Sequence, residues 1–263
     1  ELSLLEALLL GIIQGATEFL PVSSSGHLVL TEAFLGMTEG GLLVEVTLHA
    51  GTLVAVVVYF RSRLLWMLRG ALHPGGEGGK ARKYLLWLLI ATIPAGTVGL
   101  LFEDAVATVF ESPRVALIGM LVTGAILLSS RWSGERGRPA AGLAGLWMGF
   151  AQAVAILPGI SRSGSTIAAG MWSGVERREA AEFSFLLSVP AIAGATFLQV
   201  LDLLNGTAGV GDALWLSLML GFAAAFLSGY VAIAGLLEIL KKRGLVPFAW
   251  YCWVVGVLGL ILI

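Results

Sequence analysis

Gln14-Gly15-Ala16-Thr17-Glu18-Phe19-Leu20-Pro21-Val22-Ser23-Ser24-Ser25-Gly26-His27 is the stretch that decides the fold. It ends an apolar helical segment over 4–20, breaks it, and opens a short apolar segment over 23–36. That second arm reaches only ~21 Å at ~1.5 Å per helical residue, against a hydrocarbon core ~30 Å thick. The pair therefore reads as a re-entrant hairpin that enters and leaves a membrane on one side. Irregular backbone at membrane depth is tolerated only inside protein or beside a water-filled cavity. A second pair, 141–157 and 162–175, is broken in the same way at Pro158-Gly159-Ile160-Ser161.

The rest of the chain agrees with a membrane setting. Of its 263 residues 57% are hydrophobic and 13% charged, with a net charge of -1 and a mean hydropathy of +0.91. A soluble domain carries about a quarter charged residues, and no overall positive field attracts a polyanion. Composition thus argues against a soluble globule, a disordered chain and a nucleic-acid binder. Six further apolar segments, 42–60, 84–102, 115–130, 180–201, 213–237 and 245–263, approach the ~20 residues a spanning helix needs. The expected fold is an all-α integral membrane protein with six transmembrane helices plus two re-entrant hairpins. The single cysteine, Cys252, sits in an apolar run and reads as packing, as do most of the eight Trp and four Tyr, some as interface anchors.

Basic residues set the orientation. Fourteen of the sixteen Lys and Arg fall in four clusters, at 61–83, 131–138, 177–178 and 241–243. With six spans and two hairpins, all four lie on the cytoplasmic side. The outer connections carry Glu103, Asp104, Glu111, Asp202 and Asp212, with Arg114 as the one outer base. Both termini then lie outside.

The halves resemble each other. Gly11 and Gln14 recur as Gly149 and Gln152, and Ser23-Ser24-Ser25-Gly26 recurs as Ser161-Arg162-Ser163-Gly164, all at an offset of 138. Each half, 1–139 and 140–263, holds one hairpin and three spans within a single membrane domain. Three is odd, so the second half is inverted, and the two broken tips can meet near the midplane as in inverted-repeat transporters.

Two Ser/Gly-rich breaks, each followed by a short helix, bring two helix N-termini to one place, which favours an anion. Ser23, Ser25, Gly26, Ser161, Ser163, Gly164 and Thr166 are the candidate phosphate-binding residues around these breaks. Arg162 lies in the second break. A mid-membrane Arg costs at least ~2.5–3.5 kcal/mol unless paired, and its guanidinium suits phosphate oxygens. In the first break, capping accounts for one of the three serines. His27 follows as a candidate general base or nucleophile beside a hydroxyl. Gln14 and Glu18 share a helix face aimed at the break. Glu18 reads as a divalent-metal ligand beside a phosphate; a direct ion pair with Arg162 is the alternative, and both can hold in turn. Glu45 and His49, also four residues apart, are candidates for supporting or structural roles.

The first break, 14–27, resembles the first signature of the bacterial undecaprenyl-diphosphate phosphatases, the bacitracin-resistance family. Pro158-Gly159-Ile160-Ser161-Arg162-Ser163-Gly164-Ser165-Thr166 resembles its second, and the likeness extends over essentially the whole chain. The resemblance implies a hydrolase of the bacterial cytoplasmic membrane, opening to the outside. It would release the terminal phosphate of undecaprenyl diphosphate, return the lipid carrier to peptidoglycan synthesis and confer bacitracin resistance. It implies Mg²⁺ or Ca²⁺, Glu18 as the essential acid, Ser24 in the hydroxyl cluster, His27, and Arg162 on the phosphate. Many members carry Glu where this chain has Gln14, which can coordinate only through its carbonyl. Attack by Ser24 and attack by a water are both open at this level. A polyprenyl-phosphate carrier using the same anion site is the alternative function, and a second copy of the chain, as a homodimer, is a candidate partner. The Ser-Gly-His and Ser-Arg pairs superficially resemble the type 2 phosphatidic-acid phosphatases, but no histidine follows His73, so that family is rejected.

Overall fold

The two breaks are real interruptions in an otherwise helical chain. The computed structural model describes residues 2–35, 42–73, 75–102, 108–109, 112–205 and 212–263. The first hairpin is α1 (Leu4–Phe19) and α2 (Ser24–Leu35); the second is α7 (Leu143–Val154) and α8 (Arg162–Trp172). Between them run α3 (Leu42–Tyr59), α4 (Arg61–Leu72), α5 (Glu77–Leu101) and α6 (Pro113–Ser129). After them come α9 (Arg177–Asn205), α10 (Asp212–Arg243) and α11 (Val246–Leu262). No strand occurs among the described residues.

Each of the six apolar segments forms one helix. By length and hydropathy α5, the α6 region, α9 and α10 can each cross a bilayer, and the α3–α4 pair makes a fifth, bent by 74°. The protein is an all-α, multi-pass membrane protein. The bend separates two kinds of surface. Residues 61–72 carry Arg61, Arg63 and Arg69, so the sequence reads as a basic loop, yet Met67 and Gly70 are buried and form the seam of a real helix, α4, against α5.

The packing is mirrored between the halves. Helix α1 lies along α10, and α7 lies along α5. A Cβ at Gly11 would collide with the Gly221 carbonyl of α10, and one at Gly149 with the Ala91 carbonyl of α5. Both glycines permit backbone-to-backbone contact of the kind small residues give membrane helices. The main core, with Phe19, Met148, Ile167, Phe183 and Phe185 fully buried, fills the space between the hairpins and α9.

Three of the four basic clusters converge. One cavity of about 220 Å³ is lined by Glu135, Arg177, Arg178 and Lys241, from the 131–138 segment, the start of α9 and the end of α10. Arg63 of α4 stacks on Trp66 and Tyr84, and Tyr84 meets Phe183 of α9. Arg178 binds Glu182 at 3.0 Å. At the other end, the Ser217 hydroxyl donates to the Leu2 carbonyl and Arg114 to Ile263. Of the expected outer acids, Glu103, Asp104, Glu111 and the side chains of Asp202 and Asp212 lie outside the described residues.

Candidate active site

The two breaks meet and are stitched together reciprocally. The Gly159 N–H of the second break donates to Ser25 Oγ at 3.2 Å. The Ser163 hydroxyl donates to the Leu20 carbonyl of the first at 3.1 Å. Each break is also closed on itself. Ser23 Oγ accepts from Gly26 N at 3.2 Å and lies 3.2 Å from Ser25 Oγ. Ser161 Oγ accepts from Gly164 N at 3.1 Å and lies 3.2 Å from Ser163 Oγ. The offset of 138 in sequence is thus an equivalence of hydrogen bonds. Ser23 takes a positive φ of 70°, an uncommon conformation for a non-glycine residue, and its side-chain cap helps hold it there.

A residue that sequence reading missed secures the second break. Thr123 of α6 is fully buried. Its hydroxyl donates to the Gly159 carbonyl at 2.9 Å and accepts from Ser161 N at 2.9 Å. Gly159 has φ +81° and lies against the Ala116 carbonyl, so no side chain fits there.

These contacts sort the candidate hydroxyls. Ser23, Ser25, Ser161 and Ser163 hold the breaks together, and Gly26 and Gly164 give their N–H groups to the caps. Thr166 Oγ1 lies 2.8 Å from the Arg162 carbonyl and 2.5 Å from Ser184 Oγ. Ser24 alone of the first three serines points elsewhere: its hydroxyl donates to Glu18 Oε2 at 2.8 Å. Glu18 Oε1 accepts from Arg162 Nη2 at 2.6 Å, with side-chain exposures of 8% and 15%. Arg162 Nη1 also reaches the Ser184 carbonyl at 3.4 Å. An arginine, a carboxylate and a hydroxyl are therefore in one chain of contacts across the two breaks. Replacing a buried ion pair by well-packed apolar groups is often neutral or stabilising, so its presence here points to chemistry rather than to stability.

His27 does not bond to Ser24. Its Nδ1 lies 2.8 Å from the Ser23 carbonyl and its Nε2 2.7 Å from the Tyr251 hydroxyl of α11. The hydroxyl beside this histidine comes from a residue that composition had assigned to anchoring or packing. Glu45 and His49 are half-buried on α3, where His49 Nδ1 donates to the Glu45 carbonyl at 2.9 Å. His49 also lies within electrostatic range of the Glu18 carboxylate.

Gln14 is completely buried. Its Nε2 donates to Glu18 Oε2 at 3.2 Å, while its Oε1 has no partner. Turning the amide over would set two oxygens against each other, so the Glu18 contact fixes the orientation. A buried, unpartnered amide oxygen is costly, and it is a hard donor of the kind Mg²⁺ and Ca²⁺ prefer. Among the described residues no three His, Cys, Asp or Glu side chains cluster as metal ligands. Gln14 Oε1 and the Glu18 carboxylate would give a divalent ion two oxygen donors of the kind Mg²⁺ and Ca²⁺ take.

The family model described as bacitracin resistance protein BacA matches residues 7–258, a span that holds both breaks and every residue of this site. The chain belongs to the BacA family. Relatives agree along their length. The undecaprenyl-diphosphatase of Methanobrevibacter smithii is 45% identical over 272 residues, covering 98% of this chain and 96% of the relative. That of Syntrophotalea carbinolica is 42% identical, covering 97% of each chain. That of Bacteroides fragilis is 40% identical, again covering 97% of each. In this BacA-family chain the Ser23, Ser25, Ser161 and Ser163 side chains bind the breaks to themselves and to each other, while Ser24 turns to Glu18.

Proposed function

We propose that the protein hydrolyses undecaprenyl diphosphate to undecaprenyl phosphate and inorganic phosphate, as an enzyme of the bacterial cytoplasmic membrane. The observation that carries this reading is the buried Arg162–Glu18–Ser24 chain at the junction of the two breaks. The names of the BacA-family relatives support the same substrate. A lipid-phosphate carrier, the alternative raised by the repeat, finds no support among them.

Phosphoryl transfer needs positioning and charge stabilisation above all. The diphosphate draws Arg162 away from Glu18 and is held by its guanidinium. Ser24 is the nucleophile, because it is in hydrogen-bond contact with a base. Its proton passes to Glu18 as its oxygen attacks the terminal phosphorus. The bond from phosphorus to the bridging oxygen breaks, and the electron pair leaves with undecaprenyl phosphate. A water then attacks the phosphoserine, giving its proton to His27, and Glu18 returns the first proton to Ser24 as inorganic phosphate departs. A Mg²⁺ or Ca²⁺ held by Glu18 and Gln14 Oε1 would neutralise phosphate charge as a Lewis acid.

The two halves, 1–139 and 140–263, are read as inverted repeats of one hairpin and three spans, with six crossings in all. The mirrored α1–α10 and α7–α5 packing and the paired serine contacts support this. The gathered basic clusters favour a cytoplasmic end there. The opposite end, where Leu2 and Ile263 find their partners, is then outside, and the site opens toward it.

Metal-dependent phosphate release from undecaprenyl diphosphate by purified protein in detergent tests the reading. Wild type should release phosphate and Glu18→Ala should not; equal rates would remove Glu18 from the mechanism.

A further inference from the structure

The two contacts of the His27 ring together fix which of its nitrogens is basic. The Ser23 carbonyl can only accept, so Nδ1 at 2.8 Å carries the ring proton. The neutral ring then has one lone pair, on Nε2, and the Tyr251 hydroxyl at 2.7 Å must be its donor. The two rings are 6° from parallel with centroids 5.6 Å apart and meet edge to edge through this bond. The two hydrogen bonds, one at each ring nitrogen, leave the imidazole a single orientation.

Tyr251 is not placed there by burial. It is 45% exposed, while its neighbour Cys252 is fully buried, with Sγ 3.7 Å from the Pro21 carbonyl. That second contact ties α11 to the first break and so sets Tyr251 beside His27. A half-exposed tyrosine on an apolar helix still needs a partner for its hydroxyl. Here it is spent on a histidine 224 residues away in sequence.

We propose that Tyr251 is a positioning residue for His27. In the Nδ1–H tautomer that the Ser23 carbonyl sets, it orients the ring so that Nε2 lies where the attacking water takes the place of the hydroxyl. The proposal rests on the reading of His27 as base in the second step. The hydroxyl occupies Nε2 at rest and is displaced by the attacking water, whose proton then passes to Nε2. Partners that fix a histidine's tautomer and orientation are a general device in catalytic sites.

Tyr251→Phe tests this because it keeps the aromatic ring and removes only the hydroxyl. Turnover on undecaprenyl diphosphate should fall about tenfold with KM within about twofold, a fraction of what a whole general base contributes. In ¹⁵N-histidine spectra of the detergent-solubilised protein, the His27 signals are identified by their loss in His27→Gln. The Nε2 resonance of His27 should move in Tyr251→Phe, while those of His49 and His73 stay in place. An unmoved Nε2 resonance, or wild-type kcat in Tyr251→Phe, would overturn the proposal. A fall in thermal stability with unmoved nitrogen signals would mark a structural role and overturn it too. Wild-type turnover in His27→Gln would instead overturn the base reading, and the catalytic part of this proposal with it, whatever the nitrogen signals do.

Discussion

Arg162 Nη2 lies 2.6 Å from Glu18 Oε1, so these two charges at the junction of the two breaks neutralise each other across 144 residues of sequence. In the proposed reaction the pair is a resting arrangement: a phosphate bound by Arg162 would free the carboxylate, and a cation held by Glu18 would free the guanidinium.

Arg162→Ala should lower turnover by at least about 10³-fold, since a phosphate then meets only neutral donors in a low-dielectric site. It should also destabilise the fold by about 3–5 kcal/mol by leaving Glu18 buried and unpaired. Pairing Arg162→Met with Glu18→Gln separates the two effects: thermal unfolding should recover most of the lost stability, while phosphate release stays absent. Recovered activity in the double variant would refute a phosphate role for Arg162.

Thr123→Val removes a hydroxyl that serves two backbone groups of the second break, the Gly159 carbonyl and the Ser161 N–H. Leaving both unsatisfied should cost about 1–3 kcal/mol for each group. Because Ser161 directly precedes Arg162, the guanidinium should lose its alignment as well. The expected result is a lowered unfolding temperature together with a KM raised several-fold, read by thermal unfolding and steady-state phosphate release.

Much of this arrangement was legible in the sequence because it repeats. The two Ser-x-Ser-Gly breaks, the constant offset and the short second arms announce two hairpins that meet. The residues that hold the site were not legible, because their contacts obey no local spacing. Thr123 reaches Ser161 across 38 residues and Tyr251 reaches His27 across 224. Helix α4 was hidden for a different reason: its three arginines, two exposed and Arg63 half-buried over Tyr84, mask the narrow seam of Met67 and Gly70 packed on α5. The serines divide only in three dimensions, since a cap, a cross-hairpin donor and a nucleophile are the same residue type in one line of text.

Ser24→Ala should abolish phosphate release and also abolish a trapped phospho-enzyme. Quenching in neutral denaturing detergent, where phosphoserine and the acid-labile phosphohistidine both survive, with substrate labelled in its terminal phosphate should recover the label on Ser24 in wild type, with more of it in His27→Gln, where the second step is slowed. Label on His27, or single-turnover hydrolysis with no labelled protein at any time, would replace the serine pathway by direct attack.

Gln14→Glu turns the question of the metal into a sign. The substitution sets a second carboxylate beside Glu18, where Gln14 Nε2 now donates to Glu18 Oε2 at 3.2 Å. Without a cation, two buried carboxylates at that distance repel and one must hold a proton, so the variant in chelator should unfold at a lower temperature than wild type. With a divalent ion, the added charge replaces a neutral amide oxygen in the ligand set, and tighter binding follows from ligand charge. The variant should then gain more stability from Mg²⁺ or Ca²⁺ than wild type does, and reach half-maximal phosphate release at a lower metal concentration. Wild-type protein should lose activity in chelator and regain it when the ion returns. If Gln14→Glu responds to metal no more strongly than wild type in both unfolding and turnover, the ion does not sit between these two side chains.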